Sequence, residues 1–289
     1  MSDTPLHVLV VGAGEAAEPY ERLARAAGNT VLVRPLEEAR ADVDAADLVL
    51  LCVPPEAVRP GVLRLAPGPS VRIVVTTRGL EPESGRRLSE VITAESACLR
   101  VGALAGPLLP AEVRRNSPCA AVVASRFHEV TRLATRTLHS SACRIYASED
   151  LPGVELAGAM VEVLAIALGV ARGLGLGVGA QALIVSRGVA EGSRLTGHGG
   201  GDARTFAGLA GVGELVAAAA LPDHPGHVRG LALARGETDA AAAALCGALL
   251  GRVKDLPITG AVGALATGKA RAAEVLAGLM TRELREEFE

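Results

Sequence analysis

Two glycines near the start of the chain have the spacing of a phosphate-binding turn. Residues 8–17 form an apolar run, VLVV, followed by Gly-x-Gly and a helix-forming stretch. In such a turn the first glycine allows a tight bend, the second lets backbone approach a pyrophosphate, and the helix N-terminus faces the negative charge. The predicted dinucleotide-binding residues here are Gly12, Ala13, Gly14, Glu15 and Ala16. The alternative is an ordinary strand-to-helix turn that binds no ligand.

The choice between NAD and NADP depends on the residues at the end of the second strand. An acidic residue there favours NAD, whereas this chain has Arg34, followed by Glu37 and Glu38. Arg34 can pair with the 2′-phosphate of NADP, which favours NADP, or it can be an ordinary solvated arginine. Val53 and Pro54 end the third strand, where a cofactor would lie along the carboxyl edge of the sheet. We therefore predict NADP or NAD as cofactor, with Arg34, Val53 and Pro54 among its contacts.

The first half of the chain alternates short apolar runs with helical stretches. The predicted strands cover residues 6–11, 30–33, 48–53, 71–76, 98–104, 119–124 and 143–146. The predicted helices cover residues 16–27, 55–65, 83–93 and 126–139. Strands of nearly continuous apolar character separated by helices indicate a parallel sheet that is covered on both faces. The expected fold class is α/β, with a Rossmann-type doubly wound sheet in residues 1–148.

The second half shows helical periodicity interrupted by glycine clusters. The predicted helices cover residues 153–173, 180–194, 238–252, 261–267 and 269–287. The first of these is long and rich in alanine and leucine, which is typical of a buried helix. We predict an all-α C-terminal domain over residues 149–289.

Composition excludes several classes of function. The chain has 289 residues and a formal net charge of −3, so it lacks the basic surface of a protein that binds nucleic acid or an anionic membrane. The N-terminus has no basic stretch typical of a secretion signal, and no apolar run approaches the roughly 18 residues of a membrane span. The five cysteines are scattered without a Cys-x-x-Cys pair. We therefore expect a cytoplasmic protein with reduced thiols and no metal site.

Short motifs follow one another along the whole chain. The segment EDLPGVELAGAM at 149–160 matches D-x-x-G-V-E-L-x-G-A-L, and TFAGLAGVGEL at 205–215 matches T-F-x-G-L-A-G-L-G-D-L. Shorter matches are TTRGLE at 76–81, GP at 106–107 with EV at 112–113, SRG at 186–188 and DLPI at 255–258. In this order the motifs resemble those of NAD(P)-dependent glycerol-3-phosphate dehydrogenases. The resemblance implies a Rossmann domain with a helical C-terminal domain, an NAD(P) cofactor, a small-molecule substrate and a possible homodimer.

The residues that the resemblance would assign to catalysis differ from those of the family. Val161 stands where the family's G-A-L-K-N motif has a lysine that acts on the substrate oxygen, and Glu162 replaces the asparagine. Arg78 replaces the lysine of K-G, and Glu214 replaces the aspartate of G-L-G-D-L. We predict Glu214, Glu162 and Arg78 as catalytic candidates, with Arg78 also a cofactor contact. Glu162 is rotated about 100° from position 161 on a helix, and Arg78 supplies charge but no proton. The alternatives are a capping or interface role for Glu162 and a structural salt bridge for Arg78.

The family's phosphate-binding segment is also altered. Its S-R-N motif, whose arginine and asparagine engage substrate phosphate and cofactor, aligns with HPG at 224–226. Pro225 supplies neither a guanidinium nor an N–H. His224 and His227 could bind an anion or a metal, but without a third ligand the sequence favours an ordinary surface loop. Pro110 aligns with a family alanine that contacts the cofactor, so it is included among the predicted cofactor contacts.

Three functions are compatible with these features. The first is an NAD(P)H-dependent oxidoreductase that acts on a small carbonyl or imine without a phosphate, because the cofactor turn persists while the phosphate and lysine positions change together. The second is a cofactor-binding homologue without catalytic activity. The third is glycerol-3-phosphate dehydrogenase activity from an atypical site.

Overall fold

The computed structural model describes residues 4–275 and contains a seven-stranded sheet. The strands are β1 (His7–Val11), β2 (Thr30–Arg34), β3 (Leu48–Leu51), β4 (Arg72–Val75), β5 (Arg100–Ala105), β6 (Cys119–Ser125) and β7 (Cys143–Ser148). Their order across the sheet is β2-β1-β3-β4-β5-β6-β7. Every predicted strand is present, and its ends differ from the prediction by at most two residues.

The prediction of an all-parallel sheet is wrong for one pair of strands. Strands β5 and β6 are antiparallel, with Gly102 opposite Ser125 and Ala105 opposite Val122, while the other neighbouring pairs are parallel. The connection from β5 to β6 contains only the short helix α4 (Pro110–Arg114). At about 1.5 Å per residue such a helix is too short to return the chain to the start of a six-residue strand. The chain therefore enters β6 from the edge at which β5 ends.

Helices cover both faces of the sheet, which confirms the predicted doubly wound fold. Besides α4 they are α1 (Glu18–Ala26), α2 (Pro55–Leu65), α3 (Leu88–Glu95) and α5 (His128–Leu138). Successive side chains of a strand point to opposite faces. Val8 and Val10 accordingly pack with residues of α1 and α5, whereas Leu9 and Val11 pack with residues of α2 and α3. Helix α4 was not predicted, and α3 begins five residues later than predicted because Gly85, with φ +66°, belongs to a preceding turn.

The described residues after β7 form helices and connecting turns, without a further strand. The helices are α6 (Leu151–Gly173), α7 (Val178–His198), α8 (Glu214–Ala220), α9 (Pro225–Ala234), α10 (Ala240–Arg252) and α11 (Pro257–Ala266). Helices α8 and α9 were not predicted, and the predicted helix 269–287 lies mostly outside the described residues. The last strand ends at Ser148, and the domain boundary between residues 148 and 149 stays a prediction.

Helix α6 forms the centre of the helical part. By length and composition it could cross a membrane, with a mean hydropathy of 2.0 over its most apolar 18 residues, but 94% of that window is buried inside the protein. We expected no apolar run of this length, because Glu155 and Glu162 interrupt the helix. That expectation was wrong, since these two charges lower the mean hydropathy of the helix only slightly. The buried position confirms the predicted core helix.

Glycines allow α6 and α9 to pack with their backbones in contact. A Cβ added at Gly169 would lie 2.4 Å from the carbonyl oxygen of His227, and a Cβ at Gly230 would lie 2.1 Å from that of Ile166. Distances this short exclude any larger side chain. This close crossing fixes the start of α9 beside the middle of α6, where the candidate site lies.

Candidate active site

The glycine turn lies at a crevice of the sheet. Strand β1 lies between β2 and β3 in the sheet. The connection from β1 therefore runs to β2 on one side, while β3 lies on the other side, and a crevice opens at the carboxyl ends of β1 and β3. Gly12 has a φ of +143°, and its N–H donates to Arg34 O at 2.9 Å. A Cβ at Gly12 would lie 2.4 Å from Cys52 O, whereas a Cβ at Gly14 would meet no described atom within 4 Å. Gly12 is required by backbone packing, whereas Gly14 has open space on its Cβ side.

The strand register places most of the predicted cofactor contacts around this turn. Arg34 ends β2 beside the turn, but its Nε forms an ion pair with Asp42 Oδ2 at 3.0 Å, so its charge is already shared. Val53 O accepts a hydrogen bond from Thr77 Oγ1 at 2.6 Å, and Pro54 precedes α2 at the same edge. The residues Gly14–Ala16 form a single 3₁₀ turn instead of the start of the predicted helix. These contacts stay predictions.

Pro110 lies further along the same edge, at the start of α4. Arg114 of this helix pairs with Glu18 on α1, with Nη1 and Oε2 2.6 Å apart, and its Nη2 lies 3.6 Å from Glu15 Oε1. These ion pairs hold α4 against the helix that follows the glycine turn. The side chain of Glu15 is 81% exposed, so it stands at the mouth of the crevice.

The three predicted catalytic residues meet in one cluster. Arg78 follows the carboxyl end of β4, and its Nε lies 2.6 Å from Glu214 Oε1 at the start of α8. Its Nη1 donates to Glu162 Oε1 on α6 at 3.1 Å. The second oxygen of Glu214 accepts the N–H of Gly106, directly after β5, at 3.1 Å. Gly158 makes room for Arg78, because a Cβ there would lie 3.3 Å from Arg78 Cγ. We refer to Arg78, Glu162 and Glu214 as the ion triad.

Position 162 faces the site, whereas position 161 does not. Val161 is fully buried in the helical core, while Glu162 reaches Arg78. The sequence analysis placed Glu162 away from the site because it assumed that the side chain at position 161 points into the site, as the family's lysine would. With valine at 161, the polar contact of α6 is made by Glu162 instead.

Burial and charge shape the ionisation of the triad. Burial raises the pKa of Glu214 to about 7, although Arg78 and the Gly106 N–H favour the carboxylate. Burial acts to lower the pKa of Arg78, but Glu214 and Glu162 outweigh it and the pKa is raised. Arg78 therefore stays a cation, and it is shared between two carboxylates.

Sequence reasoning missed Tyr20, which lies beneath the triad on α1. Its hydroxyl is 3.5 Å from Thr76 O, and the residue is 8% exposed. Burial raises its pKa, and the charges of Arg78 and Glu214 act on it. The signal available in the sequence was that Tyr20 is one of only two tyrosines in the chain.

The two histidines are buried, so the predicted surface loop at 224–227 is wrong. His224 is the N-cap of α9, and its Nδ1 accepts the N–H of Gly226 at 3.1 Å, which leaves the proton of the neutral ring on Nε2. His227 is fully buried, and neither ring nitrogen has a hydrogen-bond partner among the described residues. Burial lowers the pKa of His224, and burial with the Arg172 charge lowers that of His227 to about 4. The reason for the error is that Pro225 starts a helix here, which a Pro/Gly sequence conceals.

Comparison with known proteins identifies the family. A family model described as the NAD-dependent glycerol-3-phosphate dehydrogenase N-terminus matches residues 29–131, and its C-terminus model matches residues 150–249. A glycerol-3-phosphate dehydrogenase (NAD(P)+) of Leptothrix cholodnii is 38% identical over 261 residues, covering 86% of this chain and 77% of the relative. One from Polaromonas sp. is 36% identical over 320 residues, covering 97% and 90%. The chain belongs to the glycerol-3-phosphate dehydrogenase family.

Solved structures give the same fold. The glycerol-3-phosphate dehydrogenase of Coxiella burnetii superposes with a TM-score of 0.86 at 24% identity, covering 96% of this chain and 99% of that chain. A PanE/ApbA family ketopantoate reductase from Ralstonia eutropha superposes with a TM-score of 0.57 at 17% identity, covering 94% and 100%. The predicted Rossmann-type domain followed by a helical domain is confirmed. Membership of this dehydrogenase family also confirms NAD or NADP as the cofactor and oxidoreductase chemistry as its class.

Several motif residues of this dehydrogenase-family chain hold the fold together. Asp150 Oδ1 accepts the N–H of Gly153 at 3.0 Å and caps α6, while its Oδ2 accepts from Asp202 N at 2.9 Å and from Thr205 Oγ1. The start of the first long motif is thereby bonded to the start of the second. These residues cap and connect elements of the fold.

Buried glutamates make similar connections. Glu155 accepts the N–H and hydroxyl of Ser89 at 2.8 and 2.5 Å, which ties α6 to the N-terminus of α3 in the sheet domain. Burial raises the pKa of Glu155 to about 7. Glu191 of α7 accepts from Ile258 N and Thr259 N at the start of α11. These motif residues therefore act as structural contacts between elements of the fold.

Proposed function

We propose that this protein is an NAD(P)H-dependent reductase of a small carbonyl or imine compound that carries no phosphate. The observation that carries the proposal is the ion triad. At the position where the family has a lysine, Val161 is buried in the core, and Arg78 is bonded to Glu162 and Glu214. Among residues 4–275, no cation is left free at the triad to hold a phosphate or to protonate a substrate oxygen.

The glycine turn and its neighbours would hold the cofactor. Because Gly14 has no side chain, a pyrophosphate could approach its backbone. The start of the following helix would supply backbone N–H groups to that pyrophosphate. A reduced nicotinamide, when bound, supplies a hydride. Arg78 orients Glu162, and the buried Glu214 with Gly106 N–H fixes Arg78 in turn. These contacts keep the polar groups of the site in one arrangement.

The former phosphate clamp supports a substrate without phosphate. Pro225 begins α9 and has neither a guanidinium nor an N–H to offer. Arg172 donates to Ala219 O at 2.6 Å, so its guanidinium is engaged by the backbone. The lowered pKa values keep His224 and His227 uncharged at neutral pH. A phosphoryl group is best held by arginine and backbone donors, and this segment supplies no such set.

A homodimer and a cytoplasmic location remain proposals. Support for the dimer is that α7 carries apolar side chains in solvent, with Val178 81% and Leu183 48% exposed. Size-exclusion chromatography with light scattering measures the oligomeric state directly. A monomer at all concentrations would contradict the dimer.

Cofactor binding is the first test of the proposed function. The chain has no tryptophan, so the emission of NADPH or NADH can be titrated without energy transfer from indole. Enhanced emission on binding is expected. If neither cofactor binds, the proposed reductase and glycerol-3-phosphate dehydrogenase activity from an atypical site both fail.

Turnover of dihydroxyacetone phosphate separates the proposal from ordinary family activity. We expect none above background with either cofactor, and none in Val161→Lys, since the phosphate contacts are also missing. Turnover by the parent comparable to that of the family would mean a glycerol-3-phosphate dehydrogenase with an atypical site. Activation by Val161→Lys would mean that the phosphate site is intact.

A further inference from the structure

Glu162 is the one residue between Leu151 and Ala171 of α6 that is not buried. Its side chain is 21% exposed, while the protein encloses the rest of this helical segment. A carboxylate is costly to remove from water, and here the fold leaves an opening beside it. This opening lies beside Arg78 in the ion triad.

One oxygen of Glu162 is available to a ligand. Oε1 accepts the hydrogen bond from Arg78, whereas Oε2 accepts none from the residues that the structure describes. Glu214 differs, because one of its oxygens contacts Arg78, the other accepts the Gly106 N–H, and its side chain is 4% exposed. Glu162 Oε2 is therefore the accessible acceptor of the ion triad.

The charged groups near Glu162 leave its negative charge uncompensated on the open side. Arg78 is shared with Glu214. Arg229, whose pKa Glu162 also raises, forms a bidentate pair with Asp239 at 2.7 and 3.0 Å. His224 is neutral, as burial lowers its pKa. A positively charged group is the natural partner of this opening.

The hydrogen-bonding chemistry distinguishes an imine from a carbonyl. An ionised carboxylate accepts hydrogen bonds and donates none, and a ketone oxygen is likewise only an acceptor. A protonated imine offers both an N–H donor and a positive charge, which gives a charge-assisted hydrogen bond. Resting on the reductase function proposed above, we propose that Glu162 Oε2 binds the N–H of a small protonated imine, and that this cation is the substrate of the site.

The reduction balances without a protein acid. A dihydronicotinamide donates a hydride to the imine carbon. The donor thereby becomes the oxidised nicotinamide. The C=N π electron pair moves onto nitrogen, which already carries its proton. The neutral amine then takes up a proton from water. A site for this step needs no lysine at position 161, and Val161 is found there.

A pair of ring compounds of equal size tests the substrate class. The cyclic imine pyrroline and the ketone cyclopentanone are compared at neutral pH, where Glu214 is still partly ionised, with the cofactor that the fluorescence titration shows to bind. We expect kcat/KM for pyrroline to exceed that for cyclopentanone by roughly tenfold or more, the size of one charge-assisted hydrogen bond. The product cation pyrrolidinium should also bind to the protein loaded with oxidised cofactor, as measured by calorimetry.

Glu162→Gln removes the charge and keeps the size of the side chain. We expect it to lower pyrroline kcat/KM and pyrrolidinium affinity by roughly 10- to 100-fold while the Kd for cofactor is unchanged. Glu237→Gln is the matched control, because Glu237 lies on the exposed side of the same helical domain and pairs only with Arg235 among the described residues. It should leave all three quantities unchanged.

The outcomes separate the two proposals. Loss of cofactor binding in the parent protein would refute the reductase function itself. Cofactor binding with faster reduction of cyclopentanone would refute the imine proposal and retain the reductase. Cofactor binding without pyrroline turnover and without pyrrolidinium binding would also refute it, as would full activity of Glu162→Gln on pyrroline.

Discussion

Replacing His227 with leucine should remove part of the acid sensitivity of this fold. The imidazole is fully buried at the α6–α9 crossing, and neither nitrogen has a hydrogen-bond partner among the described residues. Protonation there would place a charge in a closely packed interface beside Gly169. Leucine fills a similar volume without a titratable group, so the variant isolates the contribution of this ring.

The magnitude follows from the pKa. Burial, with the charge of Arg172, lowers the pKa of His227 from 6.5 to about 4. The unfolded chain therefore binds this proton at higher pH than the native protein does. The contribution to stability is complete above about pH 6.5 and is lost as the pH falls toward 4. One pKa unit is worth about 1.4 kcal/mol, which gives a loss of roughly 2 kcal/mol at pH 5 and roughly 3 kcal/mol at pH 4.

Urea unfolding followed by circular dichroism at about pH 7.5 and about pH 5 measures this loss. Glu214 and Glu155 have raised pKa values, so they stabilise the native state as the pH falls and mask the effect in the parent protein alone. The difference between parent and His227→Leu should therefore change by about 2 kcal/mol between the two pH values. His128→Gln, at a side chain that is 85% exposed, is the control and should match the parent. An unchanged difference for His227→Leu would refute the reasoning.

Three further predictions concern the cap, the helix packing and the cofactor. Asp150→Ala removes three hydrogen bonds and should lower the free energy of unfolding by about 2–4 kcal/mol. Gly192→Ala places a Cβ 2.4 Å from a buried phenylalanine ring and should destabilise by more than about 2 kcal/mol, whereas Gly179→Ala on the same helix meets no atom within 4 Å and should be neutral or stabilise by up to about 1 kcal/mol. Asp42→Asn frees Arg34 and should strengthen NADPH binding relative to NADH by roughly tenfold.

Urea titration checks the first two predictions, and nicotinamide emission checks the third. Equal stability of Gly192→Ala and Gly179→Ala would contradict the close packing of α7. Asp150→Ala with parental stability would mean that the cap is dispensable. An Asp42→Asn variant whose NADPH/NADH ratio equals the parent's would mean that Arg34 does not face the 2′-phosphate.

Local chemistry explains what could be predicted from the sequence. A glycine at position 12 is required by a φ of +143° and by the carbonyl of Cys52, so the Gly-x-Gly spacing already indicated the turn. The central strands β3, β4 and β5 are apolar runs that are buried on both faces, and their positions follow from the residues themselves. The capping residues, such as Asp150, act within a few positions of their helix. These features gave the fold and the family.

Tertiary structure decided the direction of β6, the burial of the histidines and the partners of Arg78. The direction of β6 depends on how far α4 can carry the chain, and the burial of His227 depends on glycines of another helix. Arg78 and Glu162 are 84 positions apart, and they pair only because α6 crosses the carboxyl edge of the sheet. Interactions between distant residues depend on the packing of whole elements, which no local pattern encodes. The sequence therefore determined the scaffold and the valine at position 161, and the packing determined that a carboxylate faces the site.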